Sequence, residues 1–111
     1  MQITGDIVIG ADAGAFAGAT AYVYLEDVGR VDASAQRIGM ARLDRVAHAG
    51  GSEGRIPFVV AASDVPVTRD VVVRVHISVD GREEISSGDL VSTAHIAAEP
   101  DTSVDVPVRE T

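Results

Sequence analysis

The chain has 111 residues, a formal net charge of −8 and no cysteine. That length fits a single domain, 1–111, able to bury about two-thirds of its unfolded surface. The acidity argues against sequence-independent nucleic-acid binding and against docking on anionic lipid, and the missing thiols exclude disulfides, zinc–thiolate sites and thiol catalysis.

In chain order, Gln2 to Gly10 places Ile3, Gly5, Ile7 and Ile9 at every second position and reads as a strand. Ala11 to Gly18 is rich in Ala, Gly and Asp and reads as a loop. Ala19 to Val28 is a strand with Ala19, Ala21, Val23 and Leu25 on one face and Thr20, Tyr22, Tyr24 and Glu26 on the other. Val31 to Ala35 is polar and irregular. Gln36 to His48 admits two readings. Ala, Met, Leu and Arg favour a helix locally. A strand with a bulge, where Ile38 and Met40 give way to Ala41 and Leu43, agrees better with its neighbours.

Ala49 to Gly54 reads as a flexible turn. Ile56 to Val60 is a short strand whose Pro57 lacks a ladder donor, so it belongs at an edge or begins at the proline. Ser63 to Arg69 is a loop. Asp70 to Val79 carries the longest alternation, with Val71, Val73, Val75, Ile77 and Val79 on an inner face and a wetter face behind, and belongs at the centre of a sheet. Asp80 to Gly88 is a turn-rich loop. Asp89 to Ala98 is the next strand and Ser103 to Val108 the last, with Val104, Val106 and Val108 inward. About seven short strands at near-regular spacing predict an all-β, antiparallel sandwich, immunoglobulin- or transthyretin-like, over a Val/Ile/Ala core.

No apolar run is long enough to span a bilayer, and the first residues lack the features of a leader. The compartment stays open: envelope or periplasm if a leader upstream of Met1 has been removed, otherwise cytoplasm. Membrane contact is expected only through such an upstream anchor.

Candidate chemistry is sparse. A hairpin through the 80–88 loop would bring His76 and His95 nearly opposite each other, the beginning of a metal site without a third ligand. Asp44, Asp64, Asp80, Glu83, Glu84 and Asp89 are loop carboxylates, and the cluster Asp80/Glu83/Glu84/Asp89 matches no calcium-loop spacing. Ser86 and Ser87 have no histidine placed to activate them, and no catalytic glycine or zinc motif is present. No catalytic residue, cofactor or metal is therefore expected. Tyr22 and Tyr24, sharing one strand face, are candidates for a peptide-binding surface; the alternative is that they cover the sheet or lie under a loop.

Three stretches together carry a resemblance: Ala21-Tyr-Val-Tyr-Leu-Glu-Asp-Val28, Arg55-Ile-Pro-Phe58, and Val75-His-Ile-Ser-Val-Asp-Gly81 leading to Gly88-Asp-Leu-Val-Ser-Thr93. Their order and spacing resemble the YbaY / YscW-like family of small bacterial lipoproteins, which includes type III secretion lipoprotein chaperones (pilotins). The resemblance implies a β-sandwich without catalytic residues and, for the secretion members, escort of a secretin subunit to the outer membrane. The chain departs from the pattern in lacking the lipobox cysteine. The expected function is a non-enzymatic binding or chaperone-like module, with another protein as partner through a sheet edge or groove. The first strand or the last, partly shielded by Pro107, is the expected edge. The alternatives are a structural protein self-associating through sheet edges, and a small ligand-binding protein or enzyme.

Overall fold

The computed structural model describes residues 2–29, 36–62, 70–98 and 102–111. Among them are eight strands and no helix: β1 (Gln2–Ile9), β2 (Phe16–Asp27), β3 (Gln36–His48), β4 (Gly54–Ala61), β5 (Val71–Ser78), β6 (Leu90–Ser92), β7 (Ile96–Ala97) and β8 (Val104–Glu110). The expected loop over 63–69 and the irregular stretch 31–35 lie outside the described residues.

The strands form one hydrogen-bonded path, β3-β2-β5-β6-β8-β1-β4, with β7 on β5 beside β6. A bridge between Gly39 and Ala62 brings the two ends of the path together. The result is a nearly closed, barrel-like sheet. The all-β expectation holds, but the strand pairing does not divide into the two sheets of the expected sandwich. Nor is it wholly antiparallel, because β1 and β8 run parallel, Gly5 beside Val104 through Ile9 beside Val108. That parallel pair joins the first and last strands inside the path. One or the other is expected from the sequence to offer an open edge, and both are internal. The strands that end the path are β3 and β4. Pro57 lies in β4, as its missing donor requires.

The inward faces follow the period of two. Ile3, Ile7 and Ile9 of β1, Ala19 to Leu25 of β2, Val71 to Ile77 of β5 and Val104 to Val108 of β8 meet in one core. Gly5 takes an inward position of β1, where a Cβ would run into the Val104 carbonyl and lie 2.9 Å from the Phe58 ring. Close approach of β1 and β8 therefore needs glycine there.

The ambiguous segment Gln36–His48 is a strand throughout. Its register against β2 is regular from Gly39 to Leu43 and shifts on either side. The slip expected after Met40 is therefore split between the two ends. At the second, Arg45 takes φ 58°. A third irregularity, between Phe16 and Ala19, lets β2 begin at Phe16, where a loop to Gly18 was expected. Such bulges raise the local twist and help the sheet to coil.

Two further expectations change at β5. Its second face is not wet: Val72, His76 and Ser78 are buried and only Arg74 is exposed, while Val79 leaves the alternation and faces solvent. The return strand expected over Asp89–Ala98 is broken into β6 and β7. Val91 and Leu90 pair with His76 and Ile77, and Ile96 and Ala97 with Val73 and Val72. Three steps along β5 are thus matched by five on the return, and residues 93–95 leave the ladder. At the break the Ser92 hydroxyl accepts the Val75 N–H at 2.9 Å, replacing a strand partner with a side chain.

Candidate functional site

The outward residues of β3, β2 and β5 form rows across the sheet. Tyr24 stands between Met40 and Arg74, and Tyr22 between Arg42 and His76. Outward positions two apart on one strand bring the rings together. Tyr22 and Tyr24 stack with centroids 6.2 Å apart, and Tyr22 stacks on His76 at 5.8 Å. The Arg37 guanidinium lies 3.8 Å from the Tyr24 ring centre, in cation–π contact.

The 80–88 loop is tied over these rings. Tyr22 Oη donates to the Gly81 carbonyl at 3.2 Å, Tyr24 Oη donates to Glu83 at 3.3 Å, and Arg37 Nη1 donates to the same carboxylate at 3.0 Å. The two tyrosines are consequently only 5% and 7% exposed. Burial, with the Glu83 charge beside it, pushes the Tyr24 phenol up to about 12, against the opposing pull of Arg37.

The loop is anchored at its far end by Asp89, which is fully buried. His76 Nε2 lies 2.7 Å from Asp89 Oδ2, and the backbone N–H groups of Val79 and Ser86 donate to the carboxylate at 3.0 Å each. Burial alone would raise the Asp89 pKa. The hydrogen bonds from His76, Ser86 and Val79 outweigh it and hold the carboxyl below its ordinary value. At the near end Asp80 accepts from the Ser78 hydroxyl at 2.7 Å, the Arg82 N–H and the Ser86 hydroxyl. The Ser78 bond leads in lowering its pKa, followed by that from Arg82.

Between this loop and the break at Ser92 lies a groove of about 330 Å³, lined by Tyr24, Glu26, Arg37, Arg74, Val75, His76, Ile85, Val91 and Ser92. Arg74 pairs with Glu26 across adjacent strands. Ile85, at the lip, is 63% exposed. A second hollow of about 610 Å³ lies beside the β1–β2 turn and the end of β8, lined by residues such as Asp12, Ala13, Pro107 and Arg109. It has no aromatic floor.

These positions alter the sequence reading. Val91, not His95, lies opposite His76, and His95 sits exposed in the segment that leaves the ladder. The surplus residues of the return displace it, so the histidine pair does not form. The acidic cluster is also not an open cage. Asp80 and Asp89 are engaged by the loop itself, Glu83 serves Tyr24 and Arg37, and Asp44 pairs with Arg42. Asp64 lies outside the described residues. Among the described residues no three His, Asp or Glu side chains are grouped to hold a metal ion. The Ser86 hydroxyl reaches Asp80 and Asp89, not a histidine. Sequence reasoning missed the His76–Asp89 pair and the roles of Arg37, Arg74 and Ile85. The available signal was Gly88-Asp89-Leu90, a carboxylate at the mouth of a return strand facing the central one.

No protein-family model matches the chain, and no curated protein matches it. Among solved structures the chain is similar to an alternative pilotin from the type II secretion system of Vibrio cholerae, with a TM-score of 0.74 and 21% identity, covering 100% of this chain and 96% of that one. The likeness is one of fold.

Proposed function

We propose that this chain, 1–111, is a non-enzymatic, chaperone-like protein-binding module of the pilotin type, related to the YscW-like lipoprotein domains, with a secretin subunit as its partner. The observation that carries the reading is the agreement with a secretion-system pilotin from one end of the chain to the other. Fold alone is a weak guide to function, but the site chemistry points the same way. The outer-face groove offers an apolar lip, an aromatic floor and fixed cations, which suit recognition of a polypeptide. Its one buried histidine is committed to a carboxylate, and the neighbouring serine hydroxyl faces two carboxylates rather than that imidazole. Tyr24 is the floor of the binding surface and Tyr22 its support. The module works through this face rather than by strand addition at β1 or β8, whose edges are already paired.

The test is calorimetric titration of the purified protein with the secretin subunits of its own host, together with fractionation of host cells with and without the gene. Saturable binding to a secretin, and secretin lost from the outer membrane when the gene is removed, are the expected results. Absence of binding to every secretin segment, with secretin distribution unchanged, would overturn the proposal.

A further inference from the structure

The geometry points to a specific chemistry for that partner: an extended segment carrying a side-chain carboxylate next to an apolar side chain, the carboxylate held between Arg37 and Arg74 and the apolar group set against Ile85. This inference rests on the protein-binding reading above and goes beyond it by naming what the groove selects. Arg37 and Arg74 both line the groove, and their side chains are 48% and 47% exposed. Each guanidinium has five N–H donors. Arg37 spends Nη1 on Glu83, and Arg74 spends Nε on Glu26. Among the described residues the remaining donors are free for a third carboxylate, and a planar fork suits such a group better than a point charge does. Arg37 is held in place by its stacking on Tyr24, so little side-chain freedom is lost when it accepts a ligand.

Charge sets the discrimination. The protein carries a formal charge of −8, so most of its surface repels an acidic segment. At the groove Glu83 and Glu26 are each paired with an arginine, so the two guanidiniums stand where the acidic surface is locally offset. A basic segment would have to compete with Arg37 and Arg74 for Glu83 and Glu26. Ile85 supplies the apolar contact, and beside it the ladder break at Ser92 gives the groove its depth.

The test uses two blocked hexapeptides, acetylated and amidated, alternating leucine with glutamate in one and leucine with lysine in the other. Each is titrated into the full chain and followed by backbone amide shifts. The glutamate peptide is expected to shift the amides of Arg37, Arg74, Ile85, Val91 and Ser92 in a saturable way, and the lysine peptide to leave them in place. The double variant Arg37→Gln/Arg74→Gln is expected to weaken the glutamate peptide at least tenfold, and Ile85→Ser to weaken it several-fold. Ile85 is a surface residue, so its variant keeps the test valid if the double variant melts early. Equal binding of both peptides, shifts elsewhere on the barrel, or unchanged affinity in these variants would overturn the inference. If the secretin subunit binds the wild type and all three substitutions alike, the pilotin reading stands and this inference fails. If neither secretin nor peptide binds, both fail.

Discussion

Asp89 shows at the scale of one residue how a buried charge becomes structural. It is fully buried, yet it is held ionised by one imidazole and two backbone donors. Removing its charge strands those donors, and a buried unsatisfied group costs about 1–3 kcal/mol. Asp89→Asn keeps the volume and part of the accepting capacity, and is expected to lower stability by about 2–3 kcal/mol in urea denaturation. The pH dependence follows in sign. The folded pKa lies below the ordinary carboxyl value, so the stabilisation is present above that ordinary value and is lost as pH falls through the folded one. The Asn variant should lose this part of the acid sensitivity, measured as a flatter stability profile below pH 4. Tyr24 acts in the opposite range. Its phenol is raised to about 12 from 10.0, so its contribution is present below pH 10 and fades as pH rises toward 12. In ultraviolet titration of the folded protein the Tyr24 phenol should ionise late, and Tyr24→Phe should remove that late step.

Among the elements, β1 and β8 carry the least forgiving contact. A methyl group at Gly5 meets the Val104 backbone and the Phe58 ring, neither of which can turn aside. Gly5→Ala is therefore expected to cost about 1–3 kcal/mol by overpacking, measured by thermal and urea unfolding. An unchanged midpoint would mean that the parallel pair can separate without loss. The segment Gln36–His48 teaches a different lesson. Its residues are good helix formers, and its hydrophobic spacing fits neither period cleanly. It is nevertheless a strand, because β2 presents an edge to it and three register shifts absorb the mismatch. Tertiary pairing outweighs a propensity difference of a few tenths of a kcal/mol per residue. The broken return at Ser92 was equally invisible, because the apolar residues of Asp89–Ala98 are compatible with a continuous strand. Only the fixed positions of β5 reveal two surplus residues.

Across the whole molecule, net charge and closure are the two governing features. Its surface ion pairs, such as Arg42–Asp44 and the contacts of Arg55 with Asp6 and Asp105, are exposed and weak individually. Self-repulsion of the −8 charge should therefore outweigh them. Added sodium chloride is expected to raise the melting temperature; a fall by calorimetry would show that ion pairs dominate instead. Among the described residues closure rests on the bridge between Gly39 and Ala62, so the edges left for strand addition are those of β3 and β4, not of β1 or β8. Read alone, the amino-acid order pointed to an all-β chain, and to which residues of Gln2–Ile9, Ala19–Leu25, Val71–Ile77 and Val104–Val108 point inward. Each of those facts is written locally, in alternation along one strand. Only the tertiary structure decided that the first and last strands run parallel, that one sheet stands in place of two facing ones, and that His76 meets Asp89 rather than His95. Those outcomes depend on which edges find each other and on where surplus residues leave the ladder, and such pairings are settled by packing between segments far apart in the chain.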